Sequence, residues 1–269
     1  MRALLAFLRR DALEATAYKL GFLGQLATLA STFFTVTFLA RMLGDVPPPA
    51  LRAWGGPAAD YFGFALIGVA AADMLAVTLH GMVNGIRWAQ AVGTLEAMLA
   101  TPAPAAVVLA GPLLYPLCWS LVRAVAYVAL GTAFGARFTL DEPFVLGLVL
   151  GVSLCANAAL GALGAATMLL AKSFEPLTAL VAGLSALLGG VLYPREALPS
   201  WLITASEALP LTHALEALRT VLLRRGGLSE ILPSLAVLSA FAVVLGAIAW
   251  WAVGRAIARV RRDGTMGWY

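Results

Sequence analysis

Charge is scarce in this chain. Only 12% of its 269 residues are Asp, Glu, Lys or Arg, against roughly 25% in an ordinary soluble domain. Lysine is nearly missing, with Lys19 and Lys172 the whole supply. A phosphate-binding P-loop needs GxxxxGK[ST], because its lysine reaches the phosphates and its hydroxyl holds magnesium. Neither lysine follows a glycine, so that motif is excluded. The two cysteines, Cys118 and Cys155, sit inside apolar runs without CxxC spacing, which points to packing residues rather than a disulfide framework or zinc site. His80 and His213 lie far apart and lack the HExxH pattern of a metalloprotease. No GxSxG nucleophile elbow occurs either.

What fills the chain instead is oil. Hydrophobic residues make up 61% of it and its mean hydropathy is +0.90, too little polar surface for a soluble domain of this length. The expected class is an all-α polytopic membrane protein. Apolar runs over 20–42, 60–86, 104–134, 143–170, 176–193 and 231–254 are each close to the roughly 20 residues a crossing helix needs. They predict six transmembrane helices. Pro112 and Pro116 are expected to bend the third span, which a packed membrane helix tolerates.

Between the spans the texture changes. Residues 1–19 place Leu4, Leu8, Ala12 and Ala15 on one helical face with Arg9, Arg10 and Glu14 around the rest, the pattern of an amphipathic interfacial helix. "GDVPPPALRAWGGP" cannot be helical through its three prolines. Residues 194–227 are cut by Pro194, Pro199 and Pro210 into runs too short to cross, and are expected to form two short amphipathic helices, dipping back into the bilayer. A basic tail occupies 258–269. No removable signal peptide is expected, since no short apolar core is followed by a small-residue cleavage site.

Six spans put both ends on one side. Arg2, Arg9, Arg10 and Lys19 cluster at one end, and Arg255, Arg259, Arg261 and Arg262 at the other, which favours cytoplasmic termini. The bias is weakened by Arg195, Arg219, Arg224 and Arg225, which this topology places outside. The net charge of +4 is thereby read as membrane anchoring, with no nucleic-acid partner implied.

Two charges fall within spans, Asp73 and Arg123. Each is placed about 18 Å from the outer end of its helix at 1.5 Å per residue. Charges at such depth cost roughly 2.5–3.5 kcal/mol on insertion scales and therefore find partners. Asp73 and Arg123 are predicted to pair across adjacent antiparallel helices, either bridging them or lining a route. The patterns "GMVNG", "GTAFG" and "GLVLG" would let helices approach closely.

The segment 87–103 separates the second and third spans. "GTLEAMLATP", Gly93 to Pro102, can make two helical turns, with Thr94 as a cap. Leu95, Met98 and Leu99 would form an apolar knob beside Glu96. So short a helix is unstable alone in water and is expected to wedge against a partner.

"GTLEAMLATP" resembles the loop between the second and third spans of type-2 ABC transporter permeases, the membrane subunits of exporters for drugs, lipids, lipo-oligosaccharides and polysaccharides. "GGVLYPREALPSWLITASEALPLTHALEALR" resembles that family's stretch from the fifth span through the outer region. The overall look is nearest the drug and lipo-oligosaccharide exporter branches. The resemblance implies a cytoplasmic connecting helix over 1–19, a six-helix permease domain over 20–257 and outer re-entrant helices before the last span. It implies a second permease chain, as a homodimer in an inner membrane, and cytoplasmic ATPase subunits that carry ATP and magnesium; no cofactor is assigned to this chain, and it would be no enzyme. By position, Gly93, Thr94, Leu95, Glu96, Met98, Leu99, Thr101 and Pro102 become the site that couples to the ATPase. Glu96 would pair with a basic group of the connecting helix or the ATPase. The rivals are an ion- or proton-coupled transporter using Asp73, and an intramembrane enzyme.

Overall fold

The computed structural model describes residues 2–43, 61–99, 105–171 and 175–263. Among these, the backbone is helical nearly throughout. Helix α1 spans Arg2–Ala17 and α2 Lys19–Leu43, with α3 at Tyr61–Ala91 and the short α4 at Thr94–Leu99. Beyond them come α5 at Ala105–Ala133, α6 at Pro143–Ala171 and α7 at Glu175–Leu188. A 3-10 turn at Arg195–Ala197 precedes α8 at Ser200–Glu207, α9 at Pro210–Arg224 and α10 at Leu228–Asp263.

Among the described residues, five helices are long and apolar enough to cross a bilayer: α2, α3, α5, α6 and α10. The sixth expected span is shorter than its apolar run suggested. Helix α7 has 14 residues, roughly 21 Å of rise against a hydrocarbon core of about 30 Å. It gives way to Gly189 and Gly190, the latter at φ +72°, a left-handed turn that glycine adopts without steric cost. The last span errs in the other direction. Helix α10 runs 36 residues to Asp263, carrying its helix into the stretch expected as a tail. The proline-rich loop between α2 and α3 lies outside the described residues.

Helix α3 is the axis of the bundle. It packs against α2, α4, α5, α6, α7 and α9, and most of its apolar window is buried within the chain. Helix α10 lies along α6, and α9 folds back between α3, α6 and α10. The largest core is built there, from Leu75 of α3, Val149 of α6, Leu215 and Leu218 of α9 and Ile231 of α10. Pro199 and Pro210 divide this stretch into the two short helices expected of it: Pro199 precedes α8 and Pro210 is the first residue of α9, where a missing N–H costs nothing. Most of α9 is buried, so the pair is a small cap on one end of the bundle. Helices α1 and α4 sit at the other end.

Candidate functional site

The α3–α5 hairpin has one register along its length, and the small residues show it. A Cβ added to Gly131 would come within 2.4 Å of Leu66, one on Gly81 within 2.6 Å of Pro116, and one on Gly85 within 3.1 Å of Pro112. Partners step down one helix as they step up the other, as antiparallel helices require. "GMVNG" therefore receives both prolines of α5 against its two glycines, and "GTAFG" packs through Gly131. "GLVLG" behaves differently, with nothing among the described residues within 4 Å of a Cβ at Gly147 or Gly151.

Within that register Asp73 meets Arg123. The guanidinium donates from Nε to Oδ2 at 2.6 Å and from Nη2 to Oδ1 at 2.7 Å, a two-pronged geometry that suits a planar donor fork. Nη1 donates to the Gln25 carbonyl of α2 at 2.9 Å. The Arg123 side chain is 4% exposed and that of Asp73 15%. Three helices are thus tied at one point in mid-span. Tyr127, one turn further along α5, is fully buried in the cluster that includes Phe33 and Leu66. The sequence reading anticipated two of the three helices; a backbone carbonyl has no signature in sequence, so α2 was missed.

The segment 93–102 begins with Gly93 at φ +73°, its N–H bonded to the Gln90 carbonyl at 3.0 Å. This left-handed residue closes α3 and turns the chain into α4. Thr94 is the first residue of the new helix. Its hydroxyl donates back to the Ala89 carbonyl at 3.3 Å, tying the start of α4 to the end of α3. Met98 is half-buried and packs with the cluster of Met82 and Ile86. The side chains of Leu95, Glu96 and Leu99, and all of Thr101 and Pro102, lie outside the described residues, so the expected knob is represented by Met98 alone.

Helix α1 lies against the same end. Phe7 covers the backbone of Gly111 in α5, where an added Cβ would sit 2.5 Å from its ring. Leu8, Ala12 and Ala15 are half-buried, matching the apolar face expected for them, and Asp11 joins them. Arg10 binds Asp11, with Nε and Nη2 each 2.7 Å from Oδ1, while its Nη1 lies 3.7 Å from the Met98 sulfur. The end of α4 is therefore touched by α1.

At the opposite end the structure holds an arginine that sequence reasoning treated as an outer-loop charge. Arg219 of α9 is 3% exposed. Its Nη2 donates to the carbonyls of Val191 at 2.8 Å and Phe64 at 3.3 Å, and its guanidinium carbon lies 3.4 Å from the centre of the Phe64 ring. Burial pulls its pKa down to about 9, partly offset by Glu196 and Tyr61; it stays charged at neutral pH. Gly68 makes this possible, since a Cβ there would fall 2.0 Å from the Val191 carbonyl oxygen. The available signal was the helical period of α9, which puts Arg219 on the face of Leu215, Leu218 and Leu222.

Spans packed round a central helix, one terminal helix laid across the end and a short helix hung beside it define a polytopic membrane protein. The ABC-2 type transporter family matches residues 3–223, and the chain belongs to that family. It is the permease component of an ABC transporter, a membrane subunit whose family works with ABC ATPase subunits. No curated protein matches the chain in a sequence comparison.

Proposed function

We propose that this chain is the conducting subunit of an ATP-driven exporter, coupled to its ATPase through residues 93–102. The observation that carries the reading is the mounting of α4. It hangs from α3 by Gly93 and the Thr94–Ala89 bond, packs into the bundle through Met98 and is held from the side by Arg10 of α1. A push on α4 thus reaches α3, and through the glycine–proline seam it reaches α5. Helices of six residues are not stable alone; this one is stabilised by contacts to three others, α1, α3 and α5, as a transmitted load requires.

In this reading α1 and α4 face the cytoplasm with both termini, in an inner membrane, and α8 and α9 face outward. ATP and magnesium belong to the partner ATPase. Two copies of the chain enclose the route, and the cargo is an amphipathic drug, lipid or lipo-oligosaccharide. ATP-driven closure of the ATPase carries α4, tilts α3 and α5 and switches access between the two sides. A gradient-driven carrier using Asp73 has less support, because both carboxylate oxygens are already held by Arg123.

Glu96→Ala tests the coupling. The variant should fold as the parent does and lose most ATPase copurification, or retain ATPase activity that no longer drives export. Wild-type copurification and export by a folded variant would remove Glu96 from the coupling site.

A further inference from the structure

A cleft of roughly 420 Å³ opens between α1 and the α3–α5 seam, with Arg123 among its lining residues and Arg10, Asp11 and Glu14 contributed by α1. Its cations are committed. Arg123 uses Nε and Nη2 on Asp73 and Nη1 on Gln25; Arg10 is held by Asp11 and lies over the Phe7 ring. Glu14 has no ion pair among the described residues. The cleft is also lined by Gln25, whose Oε1 is a buried acceptor with no hydrogen-bond partner among the described residues, and by Trp119, whose Nε1 is a buried donor with none among them. Buried groups of this kind are costly when left unmet. Tyr115 and Trp119 stack with ring planes 4° apart, and Trp88 stands 60% exposed beside the same cleft.

A free carboxylate and an orphaned acceptor call for an N–H-bearing cation, and aromatic faces attract cations further. The orphaned indole N–H calls for an oxygen beside that cation. We propose that this cleft binds the head of an amphiphile that carries an ammonium group next to an oxygen acceptor, the ammonium going to Glu14 and Gln25 and the oxygen to Trp119. The apolar tail leaves along the proline-lined seam. An anionic head finds no uncommitted guanidinium among the described residues that line the cleft. Phosphatidylethanolamine and a free long-chain amino alcohol share this chemistry. The site is formed within one chain and does not depend on the ATPase coupling proposed above.

The test is binding to the purified full-length permease in detergent, read by tryptophan emission. Short-chain dihexanoyl phosphatidylethanolamine and sphinganine should each give a saturable change. Dihexanoyl phosphatidylcholine, which has no N–H, and dihexanoyl phosphatidylglycerol, which has no ammonium, should bind at least about tenfold more weakly, the factor that 1.4 kcal/mol represents. Glu14→Gln, on the exposed side of α1, should weaken both amine probes by a similar factor while keeping the elution profile of the folded protein. Gln25→Leu should weaken them independently. The tighter of the two amine probes identifies the source as membrane lipid or free amphiphile. Equal binding of the choline and ethanolamine probes, or unchanged binding by Glu14→Gln, overturns the proposal and leaves the role of residues 93–102 untouched.

Discussion

The fork between Asp73 and Arg123 shows how a single pair can dominate its surroundings. A guanidinium buried to 4% exposure is tolerable because each of its three nitrogens donates to an acceptor. Removing the carboxylate leaves the cation in place without its partner, which typically costs about 3–5 kcal/mol. Asp73→Asn should therefore lower the thermal unfolding midpoint of the purified protein markedly, as read by fluorescence-detected chromatography after heating. The exchanged pair, Asp73→Arg with Arg123→Asp, should recover part of that loss. Recovery stays incomplete because the Gln25 carbonyl faces position 123 and accepts nothing from an aspartate. A double variant no better than either single one would mean that the two residues do not act as a pair.

At the scale of the element, the hairpin of α3 and α5 is set by backbone proximity. Gly81→Ala would drive a methyl to 2.6 Å from the Pro116 ring, and overpacking of this kind costs about 1–3 kcal/mol. Gly147→Ala has open space within 4 Å and should change the midpoint of the isolated permease little, with a small gain from lost unfolded-state freedom. The two variants, compared in one unfolding assay, separate a glycine needed for contact from one that is not. Much of this was legible. Gly81 and Gly85 stand four apart, as do Pro112 and Pro116, and that shared spacing already matches one helix to the other. Asp73 and Arg123 were readable as partners because they sit at like depth in neighbouring spans. Other features left no trace in the sequence. The Gln25 carbonyl is a backbone atom, and Arg10 reaches Met98 from a distant part of the chain. The length of helix α7 was overestimated because hydropathy cannot see that Gly190 turns the chain before the run of apolar residues ends. Arg219 was undervalued because a cation in a short helix reads as solvated unless the period of its neighbours is counted.

The whole molecule has two unlike ends. One carries α1 and α4, and the other carries α8, α9 and the buried Arg219. If the first faces the cytoplasm, a membrane-impermeant thiol reagent should label Thr94→Cys in inside-out vesicles and Ser200→Cys in intact, right-side-out cells. The parent for both should have Cys118 and Cys155 replaced, since both are exposed on the isolated chain. Labelling of position 94 from outside would reverse the orientation and end the coupling proposal. Large apolar side chains such as Phe38 and Trp250 are exposed at 64% and 72%; a bilayer or a second membrane chain is the environment that such surfaces require.

Pro112 and Pro116 have one further consequence. Neither ring nitrogen can donate a hydrogen bond, so the carbonyls four residues before each lose their rungs in the ladder of α5. The helix is weakest in bending over residues 108–116, a stretch that includes the Phe7–Gly111 contact and stops short of the three-helix knot at Arg123. A rod flexes where it is notched. Displacement entering at one face of the membrane would accordingly be absorbed as curvature near residues 108–116, with the far half of α5 moving together with the two helices tied to it at Arg123.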